Sequence, residues 1–376
     1  MTVQLSFVSP LPLGDQLTSS RSAVVVIDPD PQRRDALTGA LARLYRVSEF
    51  PGIEAAIGRT MSSPAAIIVS DQVPLSKGVE PVRLLRHHPP FEFVPIILSS
   101  DSASLDPLRM TPPPDAVIKG RTAADEAPEV LSGLLNKVVE AGWSQLPRGP
   151  REALERSLAA FSAVVDLVGA NGLVEYKTVT DACGPIVEVV QESSYGYIFE
   201  GLRYHDNLVY VHSLRVATVL TMFGKAIGLG EDQLMILASG GLMHDIGKLA
   251  LPPKLLNKPS ALSGAEWTLM HDHVGSAVRS LDGHSDIPRG VAAIIAQHHE
   301  RLDGSGYPDK LSGDQLNDLV RMAAIVDVFA ALTERRPYRP ALSPGQALDV
   351  IREKMAAQLD LRLVGLFGAM LVEATS

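Results

Sequence analysis

Apolar runs and helix-period patterns alternate along the first part of the chain. Arg34 to Tyr45 has apolar residues spaced as on one face of a helix, and comparable stretches separate short, continuously apolar runs. Four of these runs have the length and β-branched content of buried strands: Ala23–Ile27, Ala65–Asp71, Val94–Ser100 and Ala116–Lys119. Strands that alternate with helices in this way predict an α/β domain with a doubly wound parallel sheet.

The second half of the chain shows helical periodicity alone. Apolar residues recur with the spacing of a helix face, and no strand-like alternation competes with it. Six segments have this pattern: Val209–Ile227, Leu234–Ile246, Gly264–Leu281, Ile287–His299, Asp318–Leu332 and Pro344–Leu359. Successive amphipathic helices without strands predict an all-α bundle, in which a functional site lies between facing helices.

A Pro- and Gly-containing stretch at 144–150 marks the boundary between these regions. Arg151 to Val168 follows as an amphipathic helix, which could transmit motion, pair two subunits as a homodimer or pack on its own domain. The predicted segments are a flexible leader at 1–19, an α/β domain at 20–143, a linker with connector helices at 144–205 and an all-α domain at 206–376.

Composition narrows the function classes. The chain has 376 residues, of which 46% are apolar, and this length predicts more than one domain. A net charge of −9 argues against a general DNA-binding surface, although a local cationic pocket is compatible with it. The single cysteine, Cys183, cannot form an internal disulfide, and no apolar run reaches the roughly 20 residues that span a bilayer. Because the N-terminus lacks the features of a signal peptide, we expect a cytoplasmic protein that binds no membrane.

Histidines and aspartates at motif positions form the strongest chemical signal. The adjacent pair His244-Asp245 cannot complete a metal site alone and needs ligands from elsewhere. Further candidates are His212, His273, His298, His299 and Asp327, whereas the histidines expected at surface or core positions are His87, His88, His205, His271 and His284. Imidazole and carboxylate suit iron, manganese or zinc, and a carboxylate can bridge two ions. Six ligand positions plus one bridge favour a dinuclear centre, in which a water or hydroxide between the metals attacks a phosphoester.

Two motifs make this second region resemble the HD-GYP family. The run His244–Lys248 is similar to the HD motif of metal hydrolases, and the eleven residues from His298 to Pro308 read HHERLDGSGYP. Supporting matches are Lys258-Pro259, Leu262, Glu266, Met270, Arg321 and Arg336-Pro337-Tyr338-Arg339. The resemblance runs from His212 to Arg339. It implies a cyclic-di-GMP phosphodiesterase, which linearises the dinucleotide to pGpG and can continue to GMP.

The resemblance also implies roles for individual residues. The implied ligands are His212, His244, Asp245 and Asp327 for one metal, and His273, His298 and His299 for the other. Asp245 would bridge the metals, and Lys248 would contact the scissile phosphate and stabilise developing charge. Arg336 and Arg339 are candidates for phosphate and guanine contacts, and Gly306, Tyr307 and Pro308 would form a substrate-binding loop beside the site. Iron or manganese is the expected metal, and GGDEF-type diguanylate cyclases are candidate partners.

Two departures from the family pattern leave alternatives open. Some members have a Glu four residues before the first metal His, where this chain has Leu208, so we expect two metals. The family commonly has an Asp three residues after the last metal Asp, where this chain has Ala330. The alternative function is a catalytically weak or inactive cyclic-dinucleotide sensor, or a protein-docking module. A hydrolase of other nucleotides would leave the GYP loop without a role, and a mixed cyclic dinucleotide is a further candidate substrate.

The first region resembles a response-regulator receiver domain. In that family an acidic pair after the first strand holds magnesium, an Asp after the third accepts phosphate, and a hydroxyl residue and a Lys follow the next two strands. The matching positions are Asp28, Asp71, Ser99 and Lys119. They imply a phosphoacceptor at Asp71, a magnesium ion beside it and a sensor kinase as partner. Since Pro29 replaces the second acid of the pair, the alternative is a degenerate receiver used for dimerisation or docking.

Overall fold

The chain folds into two compact units. The computed structural model describes residues 22–42, 44–60, 62–74, 80–102, 107, 110–169, 175–256, 258, 262–281, 286–334 and 341–375. Of the described residues, the first unit contains those from 22 to 141 together with Tyr204–Asp206, and the second contains those from 142 to 203 together with those from 207 onward. Nearly all of the segment expected as a linker therefore packs within the second unit.

A parallel sheet forms the centre of the first unit. Its five strands are β1 (Ala23–Ile27), β2 (Arg46–Phe50), β3 (Ala66–Ser70), β4 (Ile96–Ser99) and β5 (Ala116–Ile118). They lie in the order β2-β1-β3-β4-β5, and all neighbours are parallel. The helices of this unit are α1 (Pro31–Leu41), α2 (Ile53–Arg59), α3 (Pro81–Arg86) and α4 (Ala123–Gly142). This is the strand order of a doubly wound, flavodoxin-like sheet, so the predicted fold class is confirmed.

Burial explains why the three central strands, β1, β3 and β4, were visible in the sequence. In β1, Val25 and Ile27 belong to one apolar cluster and Val24 and Val26 to another, because both faces of the sheet are covered. Such a strand is a continuous apolar run. Among the described strands, the edge strand β2 pairs only with β1. It exposes three of its five residues, so its sequence lacks that signal.

Helices make up the described part of the second unit, which confirms the predicted all-α architecture. They are α5 (Arg148–Gly169), α6 (Tyr176–Gln191), α7 (Gly196–Leu202), α8 (Leu208–Ala226), α9 (Glu231–Met243), α10 (Pro253–Leu256), α11 (Gly264–Leu281), α12 (Arg289–Gln297), α13 (Asp318–Thr333), α14 (Pro344–Lys354) and α15 (Leu361–Thr375). The final helix, α15, was not predicted. None of the helices in the described ranges is long and apolar enough to cross a membrane.

The core of the second unit fixes the helices that carry the candidate ligands. Phe367 of α15 packs against Phe223 of α8 and Phe329 of α13, with ring centroids 5.3 and 5.0 Å apart. A Cβ atom at Gly241 of α9 would lie 2.6 Å from the Cα atom of Ala217 of α8. The glycine therefore lets α8 and α9 approach at backbone distance.

Candidate metal centre

The turn after α9 carries the central aspartate. The helix ends earlier than its periodicity suggested: His244 is the C-cap, and Asp245 lies outside the helix with φ −102° and ψ 9°. A 3₁₀ turn, Ile246–Ala250, follows. A Cβ atom at Gly247 would lie 1.8 Å from the carbonyl oxygen of His273 in α11, so the turn can approach α11 only with glycine here. This close packing brings Asp245 beside His273.

Asp245 faces histidines on both sides of its carboxylate. Oδ1 lies 3.3 Å from Nε2 of His273 and 3.8 Å from Nε2 of His298. Oδ2 lies 3.4 Å from Nε2 of His244 and 3.6 Å from Nε2 of His212. Each carboxylate oxygen therefore faces a different pair of histidines, which is the arrangement that a carboxylate bridging two metal ions requires.

Asp327 of α13 joins the same cluster. Its Oδ1 atom lies 3.1 Å from Nε2 of His212 and 3.9 Å from Nε2 of His244, and its Oδ2 atom lies 3.8 Å from Nδ1 of His299. The fold thus brings together the seven residues predicted as ligands: His212, His244, Asp245, His273, His298, His299 and Asp327. Two subsets have ligand atoms close enough to share an ion, namely Asp245 with His273, His298 and His299, and His212 with His244 and Asp245.

Unpartnered polar atoms show that the cluster fits metal ions. Nε2 of His244, His273 and His298 and Oδ1 of Asp245 are buried, and they have no hydrogen-bond partner in the described structure. Buried polar atoms are costly unless an ion, a water or another group satisfies them. The donor set combines imidazole nitrogen and carboxylate oxygen, which suits iron, manganese or zinc. These residues therefore fit two divalent ions.

Hydrogen bonds to the backbone orient three of the imidazoles. Nδ1 of His244 lies 2.8 Å from the carbonyl oxygen of Gly241, and Nδ1 of His273 lies 2.7 Å from that of Met270. Nδ1 of His298 lies 3.0 Å from the carbonyl oxygen of Ile295. Because Nδ1–H donates to these carbonyls, each Nε2 keeps a lone pair that faces the centre.

Glu334 orients the imidazole of His212, and the sequence-based reasoning missed it. Its Oε2 atom accepts a hydrogen bond from Nδ1 of His212 at 2.9 Å, and its Oε1 atom lies 3.8 Å from Nε of Arg215. Burial opposes a charge on His212, but Glu334 and Asp327 raise the pKa of this histidine to about 9. The available signal was spacing, since Glu334 follows Asp327 by seven residues, which on a continuing helix would place both on one face; Glu334 is the C-cap of that helix.

Burial and neighbouring charges set the protonation of the other ligands. Burial alone would raise the pKa of Asp245, but Lys248 and nearby imidazoles hold this pKa well below its usual range, and imidazoles do the same for Asp327. Burial lowers the pKa of His298 well below its usual value and that of His299 to about 3. At neutral pH these groups are therefore ionised carboxylates and neutral imidazoles, as metal ligation requires.

The GYP loop lies against the segment that carries His298 and His299. Glu300 is buried and accepts hydrogen bonds from the backbone N–H groups of Asp309, at 2.7 Å, and Leu311, at 3.0 Å. A Cβ atom at Gly306 would lie 2.5 Å from Cα of Glu300, so the loop needs glycine at this point. Tyr307, followed by Pro308, stacks on the ring of His299 with centroids 4.6 Å apart.

Of the cationic residues assigned to substrate, Lys248 lies at the cluster. Its Nζ atom is hydrogen-bonded to Oδ2 of Asp245, and its side chain is 19% exposed, whereas that of Asp245 is 2% exposed. The ammonium group is therefore at the more solvent-exposed edge of the cluster. Arg336 and Arg339 fall outside the described residues, so their predicted phosphate and guanine contacts stay predictions.

The acidic pocket of the first unit already contains a cation. Asp28 is buried at the end of β1, and Arg33 of α1 makes a two-point contact with it, at 3.0 Å from Nε to Oδ2 and at 2.9 Å from Nη2 to Oδ1. Nη2 of Arg33 also donates to Oε1 of Gln72 at 2.9 Å. A guanidinium fork on a carboxylate is a strong, charge-assisted contact. Arg33 thus neutralises the acid that was expected to hold magnesium.

The other acids of this pocket are engaged as well. Asp30 accepts two backbone N–H groups as the N-cap of α1, and Asp71 accepts a hydrogen bond from Oγ of Ser100. The hydroxyl beside Asp71 therefore belongs to Ser100 and not to the expected Ser99, which is buried in β4, because consecutive strand residues point to opposite faces. Lys119 follows β5 as expected and is exposed. In this arrangement the pocket does not fit a magnesium ion.

A family model matches the segment that carries the candidate ligands, and curated relatives match part of the chain. A family model described as an HD domain matches residues 201–363. A cyclic di-GMP phosphodiesterase of Pseudomonas aeruginosa is 34% identical over 147 residues, which are 39% of this chain and 36% of the relative. A 3'3'-cGAMP-specific phosphodiesterase of Vibrio cholerae is 33% identical over 149 residues, which are 40% of this chain and 32% of the relative. The chain thus spans about a third of the length of these curated relatives.

A solved structure shares the fold at low sequence identity. It is a HDG"Y"P protein from Bdellovibrio bacteriovorus, with a TM-score of 0.50 and 16% identity. The match covers 66% of this chain and 81% of that protein. At this identity the likeness concerns the fold alone.

Proposed function

Because residues 201–363 match a family model described as an HD domain and resemble the HD-GYP family in their motifs, we propose that the chain is a metal-dependent phosphodiesterase. The proposed reaction is hydrolysis of cyclic di-GMP to pGpG or GMP. The observation that carries this proposal is the carboxylate of Asp245, whose two oxygens face two separate histidine pairs. Iron and manganese are the metals that we propose, since both accept imidazole and carboxylate.

The protein's part in this chemistry is to hold the donors in place before metal binds. When bound, two divalent ions would supply Lewis-acid stabilisation to both the attacking and the leaving oxygen. His212, His244, Asp245 and Asp327 would hold one ion, and Asp245, His273, His298 and His299 the other. Backbone carbonyls fix three of the imidazoles, and Glu334 fixes that of His212. Ordering the ligands in this way reduces the reorganisation that metal binding requires.

Lys248 is the residue that we assign to the substrate phosphate. Its ammonium group adjoins the bridging Asp245 and is more exposed than that carboxylate, so a phosphodiester that enters from solvent could reach it. A fixed positive charge at this point stabilises the negative charge that develops on the phosphate oxygens. It is a point charge without the geometric preference of a guanidinium, so it contributes little to selection between bases.

A mixed cyclic dinucleotide is the second candidate substrate. The similarity to a relative named as 3'3'-cGAMP-specific supports it. The two dinucleotides share the phosphodiester ring and differ in one purine. The metal centre would contact the phosphodiester and not the bases. Discrimination between them therefore depends on residues that contact the bases.

Turnover by metal-loaded protein tests the proposal. Protein purified without oxygen and loaded with iron(II) or manganese(II) should convert cyclic di-GMP, and chromatography of the products separates pGpG from GMP. The double variant His244→Ala with Asp245→Ala should lose this activity, whereas His87→Ala, in the first unit, should retain it. Loaded protein that hydrolyses neither dinucleotide would overturn the proposal, and tight dinucleotide binding without turnover would support the sensor alternative.

A further inference from the structure

His299 differs from the other histidines of the cluster in what holds its ring. Backbone carbonyls or a carboxylate accept a hydrogen bond from Nδ1 in each of the other four, namely His212, His244, His273 and His298. Within the described ranges, no hydrogen bond orients the imidazole of His299, whose Nδ1 atom lies 3.8 Å from Oδ2 of Asp327. A ligand ring without such a bond needs another constraint on its rotation.

Stacking against Tyr307 supplies that constraint. The rings of Tyr307 and His299 are nearly parallel, with centroids 4.6 Å apart and planes at 27°. The ring of His271, in α11, stacks on the same phenol with centroids 3.9 Å apart and planes at 19°. Two near-parallel rings at these distances on one face of the phenol would contact each other, and the described residues show no such contact between His271 and His299, so the two imidazoles cover opposite faces of Tyr307. His271 was expected to be an ordinary surface or core histidine, and this stack gives it a specific contact.

The two stacked imidazoles distinguish between two roles for Tyr307. A tyrosine that stacks on a guanine must offer one face of its ring to the substrate. Here imidazoles cover both faces, so the phenol cannot serve as a platform for a base. The ring instead links α11, which carries the candidate ligand His273, with the segment that carries His299.

The loop gives this ring a rigid base. The backbone N–H of Tyr307 donates to the carbonyl oxygen of His299 at 3.3 Å, and two backbone N–H groups beyond Tyr307 donate to the buried Glu300. Gly306 lies so close to Glu300 and His299 that any side chain would collide with their backbone atoms. The loop is therefore tied to the same short segment whose ligand the ring contacts.

We propose that Tyr307 is a positioning residue for the metal ligand His299, and that His271 supports it from the other face. The aromatic ring does this work through stacking, and the hydroxyl is not required. This inference rests on the proposed metal centre but not on the identity of the substrate. It predicts that loss of the ring weakens metal binding before any substrate is added.

Metal titration of ring-removing and ring-keeping variants tests the proposal. Removal of a group that orients a ligand typically costs about 10–100-fold in metal affinity. Tyr307→Leu should therefore weaken binding of one of two manganese ions by that factor in calorimetry, and reduce the metal content of purified protein from two ions toward one. Tyr307→Phe should keep both values at those of the unchanged protein. Tyr195→Leu removes a tyrosine that packs on Phe199 away from the cluster, so it should also leave metal binding unchanged.

The supporting histidine provides an independent variant. His271→Ala should lower the affinity for the same ion, and His271→Phe should restore it, so the proposal stays testable if Tyr307→Leu fails to fold. Equal metal loss in Tyr307→Phe and Tyr307→Leu would overturn it, because the hydroxyl would then be the important group. Unchanged metal affinity in Tyr307→Leu with a raised KM for cyclic di-GMP would also overturn it and make Tyr307 a substrate contact. Wild-type protein that binds two metals without turnover would contradict the proposed function and leave this inference intact.

Discussion

Asp327 and Glu334 contact opposite nitrogens of one imidazole. Oδ1 of Asp327 lies 3.1 Å from Nε2 of His212, and Oε2 of Glu334 lies 2.9 Å from Nδ1 of the same ring. Ala330 lies between these acids along the chain, is buried and has no carboxylate. Glu334, one helical turn after Ala330, supplies the carboxylate that orients His212. The alanine at position 330 therefore does not leave this ligand without an orienting acid.

Removal of Glu334 should weaken metal binding. Glu334→Ala leaves Nδ1 of His212 without its acceptor, so we expect a loss of about 10–100-fold in manganese affinity, measured by calorimetry. Glu334→Gln keeps a carbonyl acceptor without the charge and should lose less manganese affinity than Glu334→Ala. Glu353→Ala removes an exposed glutamate of α14 and serves as the control. Manganese affinity in Glu334→Ala equal to that of the control would show that the carboxylate does not orient the ligand.

A methyl group at Gly247 should disrupt the centre. In Gly247→Ala the new Cβ atom would lie 1.8 Å from the carbonyl oxygen of His273, so the 3₁₀ turn or α11 must move. We expect destabilisation of about 1–3 kcal/mol or more from overpacking, together with reduced metal content. Urea unfolding and metal analysis of the same preparation would measure the two effects.

Gly365→Ala is the matched control for that substitution. Nothing lies within 4 Å of a Cβ atom at Gly365, which is inside α15. Alanine in a helix is favoured over glycine by about 0.5–1 kcal/mol, so this variant should be as stable as the unchanged protein or more stable. A Gly247→Ala protein with unchanged stability and two bound metals would contradict the steric argument.

Motif positions and periodicity allowed much of the fold and the candidate cluster to be predicted. The seven candidate ligands each lie at a recognisable position of the HD-GYP pattern, and the structure brings them together. The helices that carry them were visible because their apolar faces pack on a common core. The end of α9 at Met243 was not visible, since the periodicity continues into the 3₁₀ turn.

The features that could not be predicted depend on tertiary contacts. Glu334 and His271 gain their roles from rings contributed by distant parts of the chain, and the spacing of Glu334 from Asp327 was the only local signal for either residue. The structure has Ser100, and not Ser99, beside Asp71. Which of two consecutive side chains faces the pocket depends on where strand β4 ends. Periodicity does not predict the Arg33–Asp28 ion pair either. This contact depends on the conformation of the turn that joins β1 to α1.

The raised pKa of His212 predicts that metal binding releases a proton. Despite burial, Glu334 and Asp327 raise this pKa to about 9, so the imidazole is protonated at pH 7 and must lose a proton to ligate a metal. Apparent metal affinity should therefore rise by up to about tenfold per pH unit and level off near pH 9. Calorimetry in buffers of different ionisation enthalpy measures the released proton. No proton release at pH 7 would contradict the prediction.

The raised pKa of His212 also predicts that metal-free protein becomes less stable as the pH rises. The pKa of His212 in the fold, about 9, lies above the ordinary value of 6.5, so protonation of this histidine favours the folded state. That contribution is fully present below about pH 6.5 and is lost as the pH rises toward 9. Urea unfolding with chelator should show this decline, and His212→Gln should flatten it. An equal decline in His212→Gln would assign the effect to another group.

The contact between Arg33 and Asp28 predicts that the first unit neither binds magnesium nor reacts with phosphoryl donors. Its guanidinium occupies both carboxylate oxygens of Asp28, and Asp71 already accepts a hydrogen bond from Ser100. Intact protein incubated with acetyl phosphate and magnesium should therefore show no phosphorylation of Asp71 by mass spectrometry. Arg33→Ala frees Asp28 and should gain magnesium binding, since an oxygen-rich pocket suits that ion.

Two further variants make this test specific to the first unit. Calorimetry with magnesium belongs in a His244→Ala and Asp245→Ala background, because the second unit could otherwise bind the ion. Arg46→Ala removes an exposed arginine of β2 and should behave as the unchanged protein. Phosphorylation of Asp71 in the unchanged chain would contradict the prediction and favour regulation by a sensor kinase. Its absence, with magnesium binding gained in Arg33→Ala, would mean that Arg33 replaces the metal and that docking or dimerisation is the role left for this unit.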